Sequence, residues 1–85
     1  MITPGQIRAA RGLLDLTQTK LADAAGVSLP TIKRHESGNT NSHKVTEETR
    51  EKIRVALERA GVVFLAENGG GAGVRLKPTK SGNSN

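Results

Sequence analysis

The sequence predicts a mainly α-helical fold, a four- to five-helix domain followed by a short C-terminal β-hairpin. Apolar residues recur at helical spacing from residue 7 to residue 60, and Thr or Ser residues suited to capping precede the helical stretches. After Gly61 the spacing changes to two short β-prone runs around a Gly-rich segment. With 85 residues, the chain has room for one small domain.

The first helix has a clear predicted start. Thr3 offers a capping hydroxyl, Pro4 suits the first helical position, and Gln6 stands three residues after the cap. Apolar residues then follow on one face, and we expect the helix to end near Leu14 and Asp15.

The segment from Gln18 to Gly38 predicts two short helices joined by a tight turn. Gly26 can adopt the left-handed conformation that ends the first of them. Ser28 is a good N-cap for the second, and Pro30 fits only in its first turn, where no intrahelical donor is lost. This arrangement is typical of a helix-turn-helix.

The outward face of the second of these helices carries apolar and basic residues together. Its members are Leu29, Pro30, Lys33, Arg34 and Ser37. Lys and Arg can donate to guanine in the major groove, and a small apolar side chain can contact a thymine methyl. We therefore favour a DNA-contacting face over the alternative of an ordinary solvated one.

A further helix and the hairpin complete the chain. Thr46 should cap the helix, and its predicted inward stripe is Thr49, Ile53, Ala56, Leu57 and Ala60. Strands are expected at residues 62–65 and 74–77. Because an isolated two-stranded hairpin is only marginally stable in water, it should pack on a helix or pair with another chain.

We expect a helical domain over residues 1–61, a hairpin and candidate dimerisation element over 62–77, and a disordered tail over 78–85.

The formal charge of +5 is unevenly distributed. Residues 1–44 carry +3, residues 45–74 carry −1, and residues 75–85 carry +3. An excess of basic over acidic residues favours binding to polyanions, whether DNA, RNA or an acidic membrane. RNA is disfavoured because Phe64 is the only aromatic residue that could stack on an unpaired base.

The chain has no Cys, no long apolar run and no secretory pattern, so we expect a soluble cytoplasmic protein without a membrane partner.

Candidate catalytic and metal-binding residues have simpler explanations. Thr17, Thr19 and Ser28 could be nucleophiles, but no base is placed beside them and capping explains their positions. His35 and His43, without Cys or a supporting Asp, make a poor metal site. The Gly-rich segment lacks the Lys-Ser/Thr ending of a phosphate-binding loop. We expect no enzymatic activity, no cofactor and no metal.

Several residues in fixed spacing carry a resemblance to a known family. They are Arg11, Gln18, Ala22, Gly26, Val27, Ile32, Glu36 and Gly38. On these positions, residues 2–65 resemble the Cro/C1 (XRE-type) helix-turn-helix family of phage-repressor-like DNA-binding domains. The resemblance implies an ion pair between Arg11 and Glu36.

The resemblance also implies two sets of DNA contacts. Base contacts would come from Ser28, Leu29, Pro30, Lys33 and Arg34. Phosphate contacts would come from Thr17, Gln18, Thr31, Asn39, His43 and Lys44. The chain departs from the family at His35, where an apolar residue is usual. Leu29 and Pro30 stand where amide side chains are common in phage repressors, so the operator sequence cannot be transferred from a relative.

The function expected from these observations is sequence-specific binding of double-stranded DNA by a transcriptional regulator, in particular a repressor. We expect a homodimer on an inverted repeat, with half-sites about 34 Å apart. The alternative is an antitoxin-like or phage-type accessory module that binds a partner protein through the hairpin. A free apolar strand at residues 62–65 would favour that alternative.

Overall fold

The computed structural model describes residues 2–38, 46–67 and 69–78, and it confirms a mainly helical fold with a C-terminal hairpin. Within these ranges the chain forms four helices and two antiparallel strands. Their bounds are α1 Pro4–Leu14, α2 Gln18–Ala25, α3 Leu29–Ser37, α4 Glu47–Ala60, β1 Val62–Leu65 and β2 Gly73–Leu76. Of the predicted tail, residues 79–85 lie outside these ranges.

Hydroxyl side chains start all four helices, as the sequence predicted. Thr3, Thr17, Ser28 and Thr46 each accept a hydrogen bond from the backbone N–H three residues further on. At α1 the predicted capping box is complete, because the Gln6 side chain also accepts from Thr3 N–H at 2.8 Å. The helix starts are therefore fixed by local hydrogen bonds.

The core lies where the four helices meet. Its fully buried large side chains are Ile7, Leu21, Ile32, Ile53, Leu57 and Val62. The predicted inward stripe of α4 is wrong at Ala60, which is exposed. α4 ends before Gly61, and the next buried side chain is that of Val62 in β1. None of the helices in the described ranges is long and apolar enough to cross a bilayer.

The hairpin packs against the helices with one face. Val62 pairs with Leu76 and Phe64 with Val74, and both Phe64 and Val74 contact the core. β2 begins one residue earlier than predicted, at Gly73. The Lys77 N–H still bonds to the Gly61 carbonyl at 2.7 Å, which continues the pairing. The division of the chain between residues 61 and 62 stays a prediction.

Gln6 joins the tip of the hairpin to α1. Its side chain is buried, and Nε2 donates to the carbonyl oxygens of Leu65 at 3.2 Å and Gly73 at 2.7 Å. The sequence predicted Gln6 only as a capping residue. Because the same amide completes the capping box and satisfies two strand carbonyls, it sets the position of the hairpin on the helical core.

Candidate nucleic-acid interface

The interface begins with the turn that joins α2 to α3. Gly26 ends α2 with a φ of 72°, in the left-handed region. The Val27 N–H then bonds to the Ala22 carbonyl at 3.0 Å, and the Val27 side chain packs on the core. Ile32 of α3 is fully buried, so α3 is held against the domain by its inward face.

A buried carboxylate connects the end of α3 to α1 and α2. Arg11 of α1 binds Glu36 with two hydrogen bonds, from Nε to Oε2 at 2.6 Å and from Nη2 to Oε1 at 2.9 Å. Gln18, the first residue of α2, donates from Nε2 to Oε1 at 3.1 Å. We call Arg11, Gln18 and Glu36 the Glu36 network. Its two-pronged guanidinium–carboxylate geometry fixes orientation as well as distance.

The positive charge of Arg11 in the Glu36 network is stable to pH. The hydrogen bonds from the Arg11 guanidinium to Glu36 raise the pKa of Arg11 above its already high ordinary value, although partial burial opposes the shift. A raised cation pKa contributes stability that is present below the ordinary pKa and is lost only as the pH rises through the raised one. We therefore expect Arg11 to remain charged throughout the pH range in which proteins are usually handled.

The opposite face of α3 is turned to solvent. Pro30 and Lys33 are exposed, whereas Leu29 and Arg34 are half-buried. Ser28 is exposed, but its hydroxyl is engaged at the helix start, since it accepts from Thr31 N–H and bonds to Thr31 Oγ1 at 2.8 Å. The predicted base-contacting residues thus occupy the first turns and the solvent side of one helix.

A family model described as helix-turn-helix, of the Cro/C1 type, matches residues 7–49. The match covers half of the 85-residue chain and includes α1 from Ile7 onward, α2, the turn and α3. The chain belongs to the Cro/C1-type helix-turn-helix family. It is a DNA-binding regulator of this type. A comparison with curated protein sequences found none that matches it.

For a Cro/C1-type domain, the residues expected to contact phosphate are only partly described. Thr17 is exposed and its hydroxyl caps α2 by accepting from Lys20 N–H at 3.0 Å. Gln18 is half-buried in the Glu36 network, and Thr31 is half-buried beside Ser28. The remaining three predicted contacts, Asn39, His43 and Lys44, lie outside the described residues.

His35 occupies a position that is usually apolar in Cro/C1-type domains, and here the imidazole is buried, with only 3 % of its surface exposed. Its Nδ1 lies 3.0 Å from the Thr31 carbonyl. Because a carbonyl can only accept, Nδ1 is the donor in this bond. Nε2 has no hydrogen-bond partner within the described part of the chain. His35 is therefore a packed residue on the inward side of α3.

Sequence reasoning missed Arg8 at this interface. Its Nη1 donates to the backbone carbonyl of Glu36, at the end of α3, while the residue as a whole is exposed. Arg8 stands one helical turn before Arg11 on α1. That i, i+3 spacing was the available signal, because residues at this separation lie on the same side of a helix.

Proposed function

We propose that this Cro/C1-type protein is a transcriptional repressor that binds an inverted-repeat operator as a homodimer, with α3 in the major groove. The Glu36 network supports this proposal most directly. It holds the end of α3 against α1 and the start of α2, while Lys33 and Pro30 stay exposed on the other side. A rigidly held helix with a free basic face suits base recognition.

The proposed division of roles follows from chemistry and position. Lys33 and Arg34 would donate to guanine, and Leu29 and Pro30 would contact thymine methyl groups. Ser28 completes this set of base contacts. Such contacts carry sequence preference, whereas contacts to phosphate set affinity and register.

Gln18 would contribute to phosphate binding through its second amide hydrogen. A side-chain amide has two N–H donors, and the bond to Glu36 uses one of them. Glu36 therefore orients Gln18 at the N-terminus of α2, where backbone N–H groups also favour an anion. Thr17, Thr31, Asn39, His43 and Lys44 are the other proposed phosphate contacts.

The homodimer is supported by apolar residues on the hairpin. Leu65, at the turn end of β1, is 41 % exposed, and Leu76, at the other end of the hairpin, is 50 % exposed. A second copy that covers either of them would add buried apolar surface to a small domain. The same leucines favour the second candidate function, in which the hairpin binds a different protein.

Selection of bound duplexes from a randomised DNA library tests the proposed function. We expect enrichment of an inverted repeat with half-sites about 34 Å apart, since a twofold dimer presents its recognition helices one DNA turn apart. Sedimentation of the protein with the selected duplex should give two chains per duplex. Enrichment of a lone half-site bound by one chain would contradict the dimer, and no enrichment at all would contradict sequence-specific binding.

Replacing Arg34 with Ala tests base recognition. We expect binding to the selected operator to weaken by about 1–3 kcal/mol, with a much smaller change on random duplex, because a base contact discriminates between sequences. Arg59→Ala, which removes an exposed Arg from α4, is the matched control and should leave both affinities unchanged. An equal loss on operator and random DNA would identify Arg34 as a phosphate contact.

A further inference from the structure

Arg8 places a positive charge at the end of α3 that no carboxylate compensates. Its Nη1 donates to the backbone carbonyl of Glu36, and a carbonyl carries no net charge. Arg11, one turn further along α1, is instead paired with the Glu36 carboxylate. Within the described ranges, no carboxylate forms an ion pair with Arg8. The Arg8 guanidinium is therefore oriented by its hydrogen bond without being neutralised.

Most of the N–H donors of Arg8 remain available to a ligand. A guanidinium has five of them, and the described residues accept only the hydrogen bond to Glu36. A methyl group placed on Gly5 would lie 3.7 Å from Arg8 Nη2, so this nitrogen lies beside the first turn of α1. Because both Gly5 and Arg8 are exposed, the free side of the guanidinium is accessible from solvent.

Glu36 links Arg8 to the N-terminus of α2. Its carbonyl accepts from Arg8, and its Oε1 accepts from Gln18 Nε2 at 3.1 Å. Arg8 and Gln18 are thus bound to the backbone and to the side chain of one residue at the end of α3, which keeps the two groups close together. Gln18 is already a proposed phosphate contact. DNA backbone that reaches the Gln18 amide therefore passes near the Arg8 guanidinium.

We propose that Arg8 binds a phosphate of the DNA strand whose backbone Gln18 contacts. This inference rests on the proposed function, which places α3 in the major groove. The planar N–H donors of a guanidinium match phosphate oxygens, and the group is always charged. Arg8 supplies the positive charge that the neutral Gln18 amide lacks and that Glu36 compensates in Arg11. The contact adds affinity without reading sequence.

Titration of binding against salt concentration tests this contact with Arg8→Ala and Arg8→Lys. Loss of one phosphate contact should reduce the steepness of log K against log [salt] by about 0.9 in Arg8→Ala. The same variant should weaken operator and random duplex by the same factor. Arg8→Lys keeps the charge, so its salt dependence should stay close to that of wild type. Wild-type steepness in Arg8→Ala would overturn the proposal and leave Arg8 with the structural role of an Arg that binds a carbonyl at a helix end.

The matched control is Arg59→Ala, which removes an exposed Arg from α4. Arg59 lines a groove with Ala24 and Ala25, at the end of α2 opposite Gln18. The control carries the same change in net charge as Arg8→Ala but should keep the wild-type salt dependence. Equal loss of steepness in the two variants would overturn the proposal and assign the effect to net charge. Affinities are measured well below the urea unfolding midpoint of each variant, so that loss of fold does not enter the comparison.

A second measurement locates the contact along the DNA, with operator duplexes in which single phosphates are replaced by uncharged methylphosphonates. One replacement that weakens wild-type protein should have no effect on Arg8→Ala, and Gln18→Ala should lose its sensitivity at the same or an adjacent phosphate of that strand. If wild-type protein selects an operator and Arg8→Ala keeps every wild-type sensitivity, or loses one on the opposite strand, the proposal is refuted while the proposed function stands. If wild-type protein binds no DNA, both are refuted.

Discussion

Replacing Glu36 with Ala is expected to destabilise the folded protein by about 3 kcal/mol. The Glu36 side chain is 5 % exposed and accepts three hydrogen bonds, two from Arg11 and one from Gln18. Removing it leaves the Arg11 guanidinium close to the core without its partner. Because Arg11 retains some contact with water, at 23 % exposure, the expected loss lies at the low end for a buried ion pair.

Urea unfolding of Glu36→Ala and Glu36→Gln measures this effect. The Gln variant keeps an oxygen that can accept from Arg11 but removes the charge, so its stability should fall between those of wild type and Glu36→Ala. Glu51→Ala is the surface control, since it removes a carboxylate that binds Arg54 in solvent, and it should change stability far less. Equal effects of Glu36→Ala and Glu51→Ala would contradict a structural role for the Glu36 network.

The same substitution should affect DNA binding beyond its effect on stability. Without Glu36, the Gln18 amide is no longer oriented at the start of α2, and the end of α3 loses its connection to α1. Operator affinity of Glu36→Ala, measured well below its unfolding midpoint, should therefore be weaker than that of wild type. Unchanged affinity would show that the network stabilises the fold without positioning the interface.

Replacing Leu21 with Ala is expected to cost about 2–5 kcal/mol, because the side chain is fully buried where α2 meets the other helices. Stability of about 0.05–0.15 kcal/mol per residue is usual for small domains. The loss is therefore a large fraction of what a chain of this size can have, and a sizeable unfolded population should be visible without denaturant.

Leu13→Ala makes the same chemical change at a position that is 45 % exposed, and it should cost less than about 1 kcal/mol. Thermal unfolding followed by circular dichroism compares the two variants. Similar midpoints for Leu13→Ala and Leu21→Ala would contradict the place of Leu21 in the core.

Local sequence signals predicted the helices well. Thr3, Thr17, Ser28 and Thr46 fix the helix starts through hydrogen bonds to residues only three positions away, so the information is contained in each short segment. Pro30 added a second constraint on α3, because its ring is tolerated only in the first turn. Helical periodicity was less reliable at the end of α4, where Ala60 fits the stripe but lies outside the core.

Contacts between distant residues were harder to predict. Gln6 bonds to Gly73, and Arg8 bonds to the carbonyl of Glu36, across separations that no local pattern encodes. The burial of His35 likewise depends on how α3 is seated. The resemblance placed His35 where an apolar residue is usual, but only packing decides how much of the ring remains in contact with water.

The sequence by itself determined the order and the starts of the four described helices and the turn between α2 and α3. It also determined the presence of a hairpin and the family. These features depend on short-range capping, glycine conformation and periodicity. The tertiary structure alone decided that Gln18 is oriented by Glu36 and that Gln6 positions the hairpin. Those arrangements follow from the way helices and strands pack together to bury apolar surface, which brings distant polar groups within hydrogen-bonding range.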